Sequence, residues 1–198
     1  MPHVIEVNNT LVTEVDLATL RALFTRRMRE VPGAVAIIAT SLEGERQGLA
    51  ATAWCSLSAD PPTILICVNR TAGAHDLIVK SQIFSVNQLA NSHAEIIAVF
   101  SNQRGLKGDA RFAEAAWRTG VGGAPMLVEA LTAYECAVTS HVVFATHSIF
   151  IGQVVDIQVN EGMAGPATYF QGGLHAVAPL LTLRHCSRAQ SGQHHRVL

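Results

Sequence analysis

Two adjoining stretches carry the residue types that could do chemistry. Gly48 to Pro62 reads Gly-Leu-Ala-Ala-Thr-Ala-Trp-Cys-Ser-Leu-Ser-Ala-Asp-Pro-Pro, and Thr63 to Arg70 follows as Thr-Ile-Leu-Ile-Cys-Val-Asn-Arg. Side chains this small let a flat ring come close to the main chain, whose N–H groups can then point at ring oxygens and nitrogens. The hydroxyls of Thr52, Ser56 and Ser58 add donors, and Asn69, Arg70 and Thr71 are placed to meet a phosphate at the end of the next strand.

Other chemistries lack their residues. No Walker A, G-x-G-x-x-G, H-E-x-x-H or G-x-S-x-G pattern occurs. Acids paired close in sequence are scarce, which leaves glycoside hydrolysis without support. Cys55, Cys67 and Cys136 sit in apolar stretches and read as small core residues rather than nucleophiles. No C-x-x-C pair exists, so reduced thiols in a cytoplasmic protein are the simplest reading of the cysteines. His194-His195 has neither cysteines nor acids beside it, and no metal site is expected. Taken alone, His147 reads as a strand-end histidine bonded to backbone. Arg104 and Lys107 read first as part of a solvated loop, with contact to a phosphate across a subunit interface as the alternative, and Phe112 and Trp117 read as core residues of a short helix rather than as ring stackers.

The elements that must hold these residues follow from pattern. Residues 1–12 read as an arm, 13–179 as one domain and 180–198 as a disordered tail rich in His and Arg. Thr13 to Asp16 resembles a capping box for a helix with Leu17, Leu20, Phe24, Met28 and Val31 on one face, stopped by Pro32-Gly33. Strands are expected at Ala34–Thr40, Leu49–Leu57, Thr63–Val68 (buried on both faces) and Ile83–Gln88, through 131–160, and as a last pair near 167–177. Short helices are expected at Ala74–Lys80, after a capping box at Ser92, and from Asp109 through Trp117. Clustered short strands with few helices fit a mainly β, antiparallel barrel with peripheral helices better than a doubly wound parallel sheet.

Composition narrows the class further. Of 198 residues 49% are hydrophobic and only 15% charged, which excludes general disorder and suggests surface hidden in a partner subunit or ligand. A net charge of -1 leaves no footprint for nucleic acid or an anionic membrane surface. The apolar runs fall far short of a bilayer span, and no apolar leader is visible at the N-terminus.

The order of several short blocks resembles the flavin reductase-like, FMN-binding split-barrel family, and within it the reductase components of two-component monooxygenases. From about Phe24 to His175 these are Gly33-Ala34-Val35, Thr52-Ala53-Trp54-Cys55-Ser56, Asp60-Pro61-Pro62, Cys67-Val68-Asn69 and Phe84-Ser85-Val86-Asn87. Arg111-Phe112, Trp117-Arg118-Thr119-Gly120, Gly123-Ala124-Pro125-Met126-Leu127, Ala130-Leu131 and Thr146-His147 before Ile151-Gly152 complete the set. The resemblance implies a homodimer of split barrels, FMN or FAD with NADH or NADPH, and release of reduced flavin to a partner flavin-dependent monooxygenase. It places Thr52, Ala53, Trp54, Cys55 and Ser56 along the isoalloxazine. Asn69, Arg70, Thr71 and His75 fall near the ribityl phosphate, and His147 near the ring face where nicotinamide docks. The flavin would carry the redox chemistry, so no catalytic dyad is required. Reduction of another acceptor, a corrinoid or ferric complex, and a non-catalytic flavin- or haem-binding barrel stay open as alternatives.

This chain departs from the family pattern in three places. Ala145 stands where Gly usually precedes Thr-His. Gly172-Gly173-Leu174 replaces a basic and aromatic pair before His175. Trp54 is larger than the usual residue and is expected to narrow the pocket.

Overall fold

The computed structural model describes residues 5–7, 10–12, 17–162 and 165–178. The expected capping box at 13–16, Cys186, His194-His195 and the 180–198 tail lie outside the described residues. Within the expected arm, β1 (Ile5–Val7) and β2 (Thr10–Val12) pair as a hairpin. Helix α1 (Leu17–Met28) follows, and it leaves Leu20, Leu23, Phe24 and Met28 exposed.

The next elements build the sheet. They are β3 (Gly33–Ala34), β4 (Ala36–Leu42), β5 (Glu45–Ala51), β6 (Trp54–Ala59) and β7 (Pro62–Asn69), then α2 (Gly73–Ser81) and β8 (Ile83–Gln88). Helix α3 (Ala94–Phe100), a 3-10 helix over Gly108–Glu114, β9 (Trp117–Thr119) and β10 (Pro125–Leu127) lead to two long strands, β11 (Thr132–Phe144) and β12 (His147–Val159). β13 (Ala167–Phe170) and β14 (Gly173–Ala176) close the described chain, and β13 pairs with β14 on one side and β3 on the other.

Seven strands form one antiparallel sheet in the order β5-β4-β8-β11-β12-β7-β6. Its two edges, β5 and β6, are consecutive in the chain. The expected single strand Leu49–Leu57 is therefore two strands, broken at Thr52-Ala53. The break lets β5 end its pairing with β4 while β6 crosses to pair with β7, Trp54 opposite Ile66 and Cys55 opposite Leu65. The sheet curls into a barrel that stays split between these two edges.

Alternation along the strands builds two cores. Ala36 and Ile38 of β4 face the barrel interior with Ile64, Ile66, Val68, Phe84, Val86, Cys136 and Phe150, which Ala74 and Ile78 of α2 cap. Val35, Ile37 and Ala39 face the other way, onto Leu89, Ile97, Phe100, Phe112, Met126 and Leu127. β7 is not buried on both faces as expected, because Leu65 and Cys67 point to its half-exposed outer side. The Gly-rich connector at 120–124 folds over the buried Glu135, whose carboxylate accepts from the N–H groups of Gly122 (2.8 Å) and Ala124 (2.7 Å).

Other local expectations change for physical reasons. Trp117 lies on β9, packed on Phe100 and Phe112, and not on a helix. Asp109 pairs with Arg46 rather than capping a helix, and that guanidinium holds its carboxyl below the usual range. His93, not Ser92, is the N-cap of α3, and its Nδ1 accepts from the Ala90 N–H instead of capping the helix. Of the three cysteines among the described residues only Cys136 is a core residue, its thiol pushed up to about 12 by burial and by the neighbouring Glu135. Cys67 is half-buried and Cys55 is exposed, since β6 is an edge strand with nothing packed on its outer face.

Candidate functional site

The break between β5 and β6 borders a cleft of about 640 Å³. Gln47, Gly48, Leu49 and Ala50 of β5 form one wall, and Thr71-Ala72-Gly73, the turn into α2, forms another. Phe100 at the end of α3 and the following loop, through Ser101, Asn102, Lys107 and Gly108 to Arg111, complete it. A smaller apolar cavity of about 210 Å³ adjoins it, sharing Ala50 and Ser101 and adding Val35, Ala51, Thr52, Ile97, Tyr169 and Leu174. Together they make a trough along β5 from Gly48 to Thr52.

Close packing requires glycine at Gly48 on β5 and at Gly33 on β3. A Cβ at Gly48 would lie 2.8 Å from the Phe100 ring, and one at Gly33 would lie 2.9 Å from the Thr52 Cβ. The trough floor thus offers main chain and methyl groups rather than bulk, which suits a flat ring.

The other end of the trough is basic. Arg111 is fixed by three acceptors, the carbonyls of Leu106 (2.8 Å) and Gly48 (2.9 Å) and Asn102 Oδ1 (3.2 Å). Lys107 is exposed on the same wall and has no acidic partner among the described residues. Opposite them the α2 turn is shaped by Asn69, whose Oδ1 accepts from both the N–H and the hydroxyl of Thr71 at 2.9 Å. The helix then starts at Gly73 with its N–H groups toward the cleft end, so positive charge and helix N-terminus together favour an anion.

The expected site residues divide into three groups, with His75 apart from all of them. Thr52 and Thr71 line the two cavities, and Ala53 joins them at the strand break, its carbonyl accepting from the Cys67 N–H at 2.9 Å. Trp54, Cys55 and Ser56 lie on β6 beyond the trough. Trp54 does not narrow the pocket: its Nε1–H donates to the Ala34 carbonyl at 2.9 Å and its ring packs on the barrel core. Asn69, Arg70 and His147 gather at the tip of the β11–β12 hairpin. His147 pairs across from Asn69, the Arg70 N–H donates to the Thr146 carbonyl (3.0 Å), and the Arg70 guanidinium reaches the Ala145 carbonyl (3.4 Å). His147 is exposed, with Nδ1 2.9 Å from the Thr146 hydroxyl. His75 is on α2 but turns its ring away from the cleft, into the barrel.

A family model described as a flavin reductase-like domain matches residues 28–178. The chain belongs to the flavin reductase-like family. Among relatives, it is 34% identical over 164 residues to an FMN reductase (NADH), RutF, of Pantoea ananatis, covering 83% of this chain and 85% of that protein. Among solved structures of the family, flavin reductase PheA2 superposes with a TM-score of 0.71 at 28% identity over 80% of this chain and 98% of its own. Flavin reductase HpaC, solved in complex with NADP+, gives a TM-score of 0.72 at 26% identity over 79% of this chain and 97% of its own.

In this family member the sequence singles out Gly48 and Ala50 within the small-residue stretch, reads Lys107 first as part of a solvated loop, and does not mark Ser101, Asn102 or Arg111 as parts of the trough. No local signal marks them, because the wall joins β5 to a loop some fifty residues later. The one usable sign was the basic, Gly-containing loop at 101–108.

Proposed function

We propose that this chain is an NAD(P)H-dependent flavin reductase that binds FMN or FAD in the β5 trough and releases it reduced to a partner flavin-dependent monooxygenase. One observation carries the reading: a strand of small residues ends beside a helix N-terminus, Arg111 and an unpaired Lys107 in a single cleft.

The residues present fit a flavin. Lys107, the fixed Arg111 and the first N–H groups of α2 would hold its phosphate. Ala50, Ala51 and Thr52 would lie under the ring. Among the described residues the edge of β6 away from β7 joins no ladder, so main-chain N–H groups beside the strand break at Thr52-Ala53 can meet ring oxygens and nitrogens. When bound, the flavin supplies the ring that accepts a hydride from the nicotinamide. The protein's part is to position: the apolar side cavity excludes water beside Thr52, and fixed amides face developing negative charge without reorganising. No residue need act as acid or base. His147 remains the candidate for steering the nicotinamide from the hairpin tip.

The protomer leaves Phe144, Val142, Val143, Ile157 and Val159 exposed on β11 and β12 and an apolar face exposed on α1. A second copy of the chain is the natural cover, so the working unit in this reading is a homodimer.

The test is a steady-state assay crossing FMN and FAD with NADH and NADPH. NADH or NADPH oxidation at 340 nm should rise and saturate with added flavin. No oxidation with any of the four combinations would overturn the reading.

A further inference from the structure

His75 is a buried polar group of the barrel, and nothing in the proposed reaction uses it. Its ring is 7% exposed and meets the edge of Phe150, with centroids 5.6 Å apart. Nδ1 lies 2.7 Å from Asp76 Oδ1, and Nε2 lies 2.8 Å from the Ser148 hydroxyl. The order carboxylate, imidazole, hydroxyl is that of an acyl-transfer triad. Ser148, however, has no exposed surface and so cannot reach a substrate.

What the chain of bonds joins is more informative. His75 lies two residues into α2, just past the Thr71–Gly73 turn that walls the cleft. Ser148 is the second residue of β12, opposite Val68, beside His147. Helix α2 packs chiefly on β4 and β5. Among the described residues, His75 to Ser148 is the one side-chain hydrogen bond from α2 to β12. Asp76 is ionised, held below the usual carboxylate range by its bond to His75. It therefore accepts a hydrogen bond from the Nδ1–H, which leaves Nε2 to accept the Ser148 O–H and fixes the ring's tautomer.

We propose that His75 is a positioning residue: through Ser148 it locks the first turn of α2 to the start of β12 and so sets the phosphate-binding end of the trough. The inference rests on the flavin reading above. It concerns the grip on the flavin, not the redox step.

The test measures FMN affinity by quenching of FMN fluorescence, alongside the KM for FMN and for the nicotinamide and the melting temperature. Ser148→Ala leaves a methyl in a buried site and should fold even if His75→Ala does not. Each variant should raise the FMN Kd and KM about five- to tenfold, with the nicotinamide KM unchanged. The double variant should be no worse than either single one, because both cut the same link. His75→Gln, which puts an amide near the position of Nε2, should recover most of the affinity. FMN binding within about twofold of wild type in Ser148→Ala, or additive losses in the double variant, would overturn the proposal whatever the melting temperature does. Failure of the wild-type protein to quench FMN at all would overturn the flavin reading itself, and this inference with it.

Discussion

Thr52 sits where the strand breaks, with its side chain against Gly33 and its surface in the small apolar cavity. Leu at this position would put bulk into a space of about 210 Å³ and remove a hydroxyl. Flavin binding in Thr52→Leu should weaken by about 1–3 kcal/mol, read by fluorescence titration. Unchanged affinity would place the ring elsewhere. Lys107 makes the opposite kind of contribution, a solvated charge at the trough's rim. Lys107→Ala should raise the KM for FMN about fivefold at low ionic strength and progressively less as salt screens the pair. A salt-independent effect would mean the ammonium does not meet the phosphate. At this scale the sequence disclosed Thr52, Asn69 and Thr71, since small and polar residues in a strand are visible as such. It did not disclose Lys107 as a cleft residue, because an exposed lysine in a loop looks the same whether or not a cleft lies beneath it.

Turns and strands decide how these residues meet. The β11–β12 hairpin turns at Ala145-Thr146, and Ala145 has φ of 49°. That is the left-handed region, where a Cβ is unfavourable and Gly is free, which accounts for the Gly of the family pattern and leaves Ala145 strained. Ala145→Gly should raise the stability to urea by about 0.5–1 kcal/mol, the strain relieved less the added chain entropy. A loss of stability would show that the turn takes another form. The alternating pattern made the strands readable, and most of their spans agree within a few residues. What the pattern could not reveal was the break at Thr52-Ala53. Small residues run through it without interruption, and only the competition between β4 and β7 for pairing decides where one strand ends and the next begins.

For the molecule as a whole, the exposed apolar surface is the strongest statement about assembly. Phe144 is 75% exposed and Val142 54% at the tip of the longest hairpin, and Phe24 is 63% exposed on α1. Stable dimers bury roughly 800 Å² per partner, and these apolar faces are where such burial would be sought. Light scattering should report a dimer for the wild-type chain, and Val142→Asp combined with Phe144→Asp should shift it toward monomer. A monomeric wild type at micromolar concentration would sink the homodimer. No helix among the described residues is long and apolar enough to cross a membrane.

From the sequence alone came the mainly β class, the small-residue strand, the polar turn after Val68 and the family resemblance, because each is written in local composition, periodicity or the order of short blocks. The tertiary structure decided the rest. It turned His75 into the barrel, moved Trp54 off the pocket, exposed Cys55 and brought Arg111 against the Gly48 carbonyl. Each of these depends on which face of an element meets which neighbour. That is settled by sheet order and by the split between β5 and β6, properties of contacts between residues far apart in the chain.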